Sequence, residues 1–361
     1  QMGEMAALNQ FMEWKIFDLI ADHGSISYYE LAQKIQADES LVSRIGRILV
    51  STGHLVQPRP GHVAHSNLSH IFKSESPPGN LFRTMFDHGL RGFTHWQDYF
   101  VEYKNREPLD VTHNPLTFSW GYPAKTIWEV VDMEPERARV FSMDMKAMAS
   151  LTSIYGGPAD VYDFGWIGDA ALDHQGPVFV DVGGSLGETL KSILEFVPGI
   201  PRARSFLQDR PEVINESRRF LMTSCNQTQR PASNPPVFPV RHLTEIGALV
   251  YFLRRVLHDW SDESCVTILS LIAAAMPRDN PRARVLIMDQ IVSDPASSLS
   301  AATDLIMLNI GGKERTAEEF KAVVERAGLK IVHIHRGWCC RVCSGVNLWV
   351  FIGTIHRDCS Q

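Results

Sequence analysis

The chain has 361 residues, 44% of them hydrophobic and 21% charged, with a formal net charge of −6 at pH 7. That length supports two domains of ordinary size, and the acidic balance supplies no overall field for phosphate backbones, which disfavours nucleic acid as a partner. No 18-residue apolar run without a charge occurs, and the opening QMGEMAALNQFMEWK lacks the basic start and apolar stretch of a signal peptide, so the expectation is a soluble cytoplasmic protein with no membrane segment.

Residues 26–56 carry apolar side chains at near-helical spacing in two segments, ELAQKI and SLVSRIGRILVSTG, with the short polar turn QADE between them. The spacing predicts a helix-turn-helix, with HLVQPRPGHVAH after it as a small wing. DNA binding is one reading, because such units place their second helix in a major groove. Packing is the preferred one: Asp38 and Glu39 open the second helix, where phosphates would lie, and only Arg44 and Arg47 are basic on it.

From Glu134 to Tyr155 a long helical pattern follows, with Pro135 suited to the first turn and a stripe of Phe141, Met145 and Met148. The stripe reads as core, with an adaptable wall for a flat apolar substrate as the alternative. The division expected is a helical domain over residues 1–165 and an α/β domain over residues 166–361.

Beyond the linker-like ALDHQGP, VFVDV (residues 178–182) reads as a short buried strand running into GGSLGETLKSILEFVPGI, a glycine turn that opens an amphipathic helix. Gly183, Gly184 and Gly187 lack a Cβ and so permit backbone to approach a ligand closely at a helix N-terminus. A second strand, SFLQD, ends 22 residues after Gly187 in Asp209, where a carboxylate can accept both hydroxyls of a ribose. Because the glycines do not stand as G-x-G-x-x-G, S-adenosylmethionine (SAM) fits better than NAD.

ALVYFL (248–253), the helix SCVTILSLIAAAM, RVLIMDQIV (284–292) and finally KIVHIH with NLWVFIG continue the alternation. The last two strands are too close for a helix between them, which predicts an antiparallel hairpin at the sheet edge. The six cysteines, Cys225, Cys265, Cys339, Cys340, Cys343 and Cys359, read as reduced thiols. No second Cys/His pair stands at zinc-like spacing from Cys339, Cys340 and Cys343, so no metal is expected.

VDVGGSLGE, FLQDRPEVI, LRRVLHDWSDE and DLIMLNIGGKERTAEEF follow in this order, and with them nearly the whole chain resembles the plant and fungal small-molecule O-methyltransferases of the caffeate type, class I SAM-dependent proteins. The resemblance implies an α/β fold, with a C-terminal Rossmann-like SAM-binding domain and an N-terminal all-helical winged-helix domain that serves dimerisation, hence a homodimer. It implies that His258 of HDW is the general base toward a substrate hydroxyl, flanked by Asp289 of LIMDQI and Glu314 of GGKERT, which orient the imidazole. The chemistry suits the residue, since a phenol is a poor nucleophile until deprotonated and imidazole accepts protons near neutral pH. Gly183, Gly184 and Asp209 are assigned to SAM by the same resemblance, with Arg254 near the cofactor's carboxylate. Met307 and Asn309 fall where the resembled proteins line the acceptor pocket, and Phe118, Trp120 and Trp128 are candidate aromatic walls. Asp259, next to His258, reads as an N-cap.

One element departs from the pattern. Upstream of the base the resembled proteins carry an acid-bearing turn, HDFF or GDMF, that contacts adenine, whereas this chain has PVFPVRH with Phe238 near the acid's place. Either another polar group substitutes, or cofactor affinity falls, or the cofactor is kept for something other than methyl donation, as in fungal pericyclases that resemble these enzymes and bind SAM without consuming it. The retained His258, Asp289 and Glu314 favour methyl transfer to a hydroxyl of a small aromatic or polyketide-type metabolite. A SAM-binding pericyclase is the alternative, and a DNA-binding regulator the third reading.

Overall fold

A reciprocal capping box starts the helix-turn-helix: Ser27 accepts the Glu30 N–H at 3.1 Å, and the Glu30 carboxylate accepts the Ser27 N–H at 3.0 Å. The computed structural model describes residues 2–74, 76–108, 111–133, 157–211, 213–214, 217, 240–241, 247–338 and 349–357, with backbone alone for 240–241, 336–338 and 349–357. The chain divides into two compact units, Gln1–Thr94 with Trp128–Met148, and His95–Ile127 with Ala149–Gln361.

In the first unit, α1 (Met2–Glu13) precedes the pair α2 (Tyr28–Ile35) and α3 (Glu39–Ser51). The wing consists of β1 (Ile26–Ser27), β2 (Leu55–Val56) and β3 (His62–His65), antiparallel in the order β1-β3-β2. Helix contact seats α3, since Gly46 lies so close to the Tyr28 ring that a Cβ there would stand 2.6 Å from the phenol oxygen. Val42 and Leu49 extend this buried face into a core with Phe11, Phe17 and Leu31, while Arg44 and Arg47 are exposed.

In the second unit, α4 (Trp96–Glu102) and α5 (Pro115–Ser119) precede α6 (Trp166–Leu172), β4 (Phe179–Val182), α7 (Glu188–Phe196), β5 (Ser205–Gln208) and β6 (Val240–Arg241). Then come β7 (Val250–Arg254), α8 (Asp262–Ala275), β8 (Arg284–Gln290), α9 (Ser298–Ile310), α10 (Ala317–Arg326), β9 (Leu329–Trp338) and β10 (Trp349–Arg357). The strands form one sheet in the order β6-β5-β4-β7-β8-β10-β9, parallel from β6 to β8, with β10 antiparallel to both neighbours. This is the Rossmann-like fold expected. The closing hairpin is present, and its second strand returns between β8 and β9, which leaves β9 at the edge.

Alternation along each strand sorts the core into two layers. Val250 and Phe252 of β7 pack with Ile167 of α6 and Leu190 and Ile193 of α7. Tyr251 and Leu253 pack on the other face with Leu269 of α8 and Phe320 and Val324 of α10. With both faces covered, β7 and the middle of β8 are runs of buried, mainly apolar side chains, and each fully buried Phe or Leu contributes roughly 1.5–3 kcal/mol by leaving water.

Strand β4 has β5 on one side and β7 on the other, so the connections leaving these carboxyl ends diverge and open a crevice there. The glycine turn, Asp209, Arg254 to His258 and Asp289 all lie at that end. Among the described residues no helix is long and apolar enough to cross a membrane. The helical pattern of Glu134 to Tyr155, with Phe141, Met145 and Met148, lies outside the described residues, as do all the cysteines except Cys265, a buried free thiol.

Candidate active site

The turn after β4 is tight because glycine makes it so. Gly183 has φ +69°, and a Cβ on Gly184 would stand 2.4 Å from Leu207 Cδ1 and 2.5 Å from Asp181 Oδ2. Ser185 takes a left-handed φ of 53° without being glycine, and its N–H donates to Asp209 Oδ2 at 2.8 Å, while the Arg210 N–H donates to Asp209 Oδ1 at 2.8 Å. The acid at the end of β5 therefore grips the glycine turn across 24 residues. Burial pushes the Asp209 carboxyl up, against the pull of these two N–H groups.

Asp181 is buried at the end of β4, and its Oδ2 has no hydrogen-bond partner. Burial pushes its pKa up to about 7, opposed by the charge of Arg254. Arg254 itself donates to Thr189 Oγ1 at 2.9 Å, and a cavity of about 180 Å³ lies against it, lined also by Glu188, Thr189, Ser192 and Phe196. Backbone with no room for a side chain, an unpartnered buried carboxylate oxygen and an acid at the next strand end suit the close approach and polar contacts of a nucleoside cofactor. Phe238, the departure from the adenine-contact pattern, lies outside the described residues.

At the end of β7, Arg255 turns the chain with φ 54° and the 3-10 turn Leu257–Asp259 presents His258. His258 is 6% exposed, and its Nδ1 lies 3.0 Å from Glu314 Oε1. Its Nε2 lies 3.5 Å from Asp259 Oδ1. Asp289, 1% exposed near the end of β8, has no hydrogen-bond partner for either carboxylate oxygen, and Glu314 Oε2 has none. Burial alone would depress the imidazole pKa, but Asp259, the Glu314 hydrogen bond and Asp289 outweigh it and push it up to about 9. Burial pushes Asp289 up to about 7 against the pull of the imidazolium. The structure thus brings His258, Asp289 and Glu314 into one buried cluster and adds Asp259.

The last addition corrects the N-cap reading. Ser261, not Asp259, caps α8 by accepting the Ser264 N–H, which leaves the Asp259 carboxylate facing the imidazole, because the 3-10 turn folds the two side chains together. Glu314 is placed by contacts that the sequence reading did not single out. Gly311 ends α9 with φ 82°. A Cβ on Gly312 would stand 2.2 Å from the His258 carbonyl oxygen. The Lys313 N–H donates to that oxygen at 2.8 Å, and the Glu314 N–H donates to Asp304 Oδ1 at 2.9 Å.

Met307 and Asn309 lie on α9, the helix that leads into this turn. Met307 is half-buried, whereas Asn309 is fully buried and accepts the Trp96 indole N–H. Helix α5, capped by Asn114, packs against α9, with Phe118 on α5 and Trp120 just after it, both half-buried. Phe118 meets the Tyr99 ring edge-on at 5.6 Å. Trp128 belongs to the first unit.

A family model described as an O-methyltransferase domain matches residues 106–330, and one described as an O-methyltransferase dimerisation domain matches residues 4–75. The chain is 39% identical over 343 residues to Methyltransferase cfoD of Aspergillus candidus, covering 93% of this chain and 82% of that protein. The crystal structure of OxaC with sinefungin and meleagrin superposes with a TM-score of 0.82 at 22% identity, covering 99% of this chain and 86% of that one. A structure described as a pericyclic reaction enzyme superposes with a TM-score of 0.71 at 19% identity, covering 98% and 86%. At these identities the two structures share the fold.

Proposed function

We propose that this chain, which belongs to the O-methyltransferase family, transfers the methyl group of SAM to a hydroxyl of a small aromatic or polyketide-type secondary metabolite with His258 as base. The observation that carries the reading is the buried imidazole hydrogen-bonded to Glu314 at 3.0 Å, with Asp259 and Asp289 beside it. His258 takes the hydroxyl proton at Nε2, while Glu314 holds Nδ1 and so fixes the ring and its tautomer. The surrounding carboxylates stabilise the imidazolium that forms. Gly183, Gly184, Asp209 and Arg254 hold SAM, which supplies an electrophilic methyl group when bound. Met307, Phe118 and Trp120 contribute walls for the acceptor, with Asn309 buried behind them and bonded to Trp96, and alignment of acceptor oxygen and methyl carbon carries much of the rate. The match of residues 4–75 to a dimerisation domain supports a homodimer, which the mass of the protein in solution tests.

The same cluster favours a second reading. Asp259, the Glu314 hydrogen bond and Asp289 hold the imidazole pKa above its ordinary range, so His258 can also present a proton donor. Donation to a substrate carbonyl or leaving hydroxyl suits a pericyclase that holds SAM unconsumed. Incubation with SAM and a panel of phenolic and polyketide acceptors separates the two. A gain of one methyl group with release of S-adenosylhomocysteine supports the transferase. Unconsumed SAM with a product of unchanged mass, or one lighter by water, sinks it.

A further inference from the structure

Arg315 follows Glu314 and is fully buried, a position a cation occupies only when its donors are met. Here they are. Nε donates to Asp262 Oδ1 at 2.8 Å, and Nη1 donates to the carbonyl oxygens of Leu257 at 2.9 Å and Lys313 at 3.2 Å. Nη2 donates to the Trp260 carbonyl oxygen at 2.8 Å and reaches Asp262 Oδ1 at 2.7 Å. Leu257 and Trp260 bracket His258, and Asp262 opens α8. Arg315 is bridged to Ile291 in extended backbone, where successive side chains face opposite ways. Glu314 thus meets the imidazole while the next residue, Arg315, grips the backbone of the same turn.

We propose that Arg315 is a positioning residue for His258: its guanidinium locks the turn from Leu257 to Asp262 against Lys313 and Glu314 and so sets the hydrogen bond between His258 and Glu314. The proposal rests on reading His258 as the group that handles the proton. Lysine cannot take over, because a point charge with three donors does not reproduce a planar fork of five. The backbone seam through Gly312 and Lys313 joins the same two segments, so loss of the fork loosens the turn without releasing it.

The test needs no acceptor. In the full chain labelled with ¹⁵N-histidine, the His258 signal is assigned by its loss in His258→Ala, and its titration is followed by NMR. Arg315→Lys keeps the buried charge, yet it should lower the His258 titration by about one pH unit or more as the carboxylate contacts loosen. SAM affinity, measured by calorimetry with SAM itself, should stay within about twofold, since the glycine turn is untouched. Asp262→Asn removes one charged acceptor and leaves the arginine in place, so it should move the titration the same way by less, and it carries the test if the lysine variant does not fold. A His258 titration that neither substitution moves overturns the proposal, as does an equal loss of SAM affinity, which a loosened unit as a whole would give. Failure of the base reading appears elsewhere, as undiminished methyl transfer by His258→Ala.

Discussion

The indole N–H of Trp96 donates to Oδ1 of Asn309 at 2.6 Å, joining residues 213 apart. Trp96 opens α4, and Asn309 is buried on the helix that leads into the GGKERT turn, so this bond ties the segment His95–Ile127 to the rest of the second unit. Trp96→Phe keeps a ring but removes one hydrogen bond to a buried amide oxygen, and should lower stability by about 0.5–1.5 kcal/mol. Urea unfolding of both proteins measures the difference, and coincident curves would show that the bond contributes nothing.

His258→Ala removes the base and leaves the glycine turn intact. Turnover should fall about 10²–10⁴-fold, with SAM affinity little changed. Single-turnover methyl transfer and calorimetry give the two numbers, and an unchanged transfer rate eliminates the role.

The pH profile follows from the carboxylates around the imidazole. His258 is held at about 9, above an ordinary value of about 6.5, so a base mechanism predicts a rate that climbs with pH toward about 9 instead of levelling near neutrality. Asp289→Asn deletes one of the charges that hold the proton and should move the rising limb to lower pH. The stability linkage has the reverse slope. A folded pKa above the unfolded one gives a contribution that is full below about 6.5 and is lost as pH rises through about 9. A limb that stays in place in the Asp289→Asn protein would contradict the coupling.

Gly184→Ala drives a methyl group to 2.4 Å from Leu207 Cδ1 and 2.5 Å from Asp181 Oδ2. Both neighbours are buried, so the turn itself must shift, at about 1–3 kcal/mol, and SAM affinity should fall by about tenfold or more. Unaltered binding by calorimetry would mean that this turn does not meet the cofactor.

The Tyr28 hydroxyl is buried beside Gly46 with no hydrogen-bond partner. Removing an unsatisfied polar atom relieves its desolvation, so Tyr28→Phe should be neutral or stabilising by up to about 1 kcal/mol. Thermal unfolding checks the sign, and a destabilised variant would reveal a partner for the hydroxyl.

Much of the fold was legible because it is written in local pattern. The period change between ELAQKI and VFVDV separates helix from strand, and the glycine turn after β4 requires residues that lack a Cβ, as the 2.4 Å approach at Gly184 explains. The chemistry-bearing residues His258, Asp289 and Glu314 were legible as motif members, although their proximity was not visible from spacing.

By itself the sequence determined the alternation of strands and helices, the winged helix, the glycine turn and the family, since each depends on neighbours within a few residues or on motif order. The tertiary structure alone decided that Asp259 faces His258, that Arg315 spends its donors on a turn more than 50 residues away, and that Asn309 meets Trp96. The physical reason is that a buried polar group must find its partner wherever the sheet order brings one within hydrogen-bond reach. That order, with β4 between β5 and β7, is a property of the assembled sheet and of no single segment.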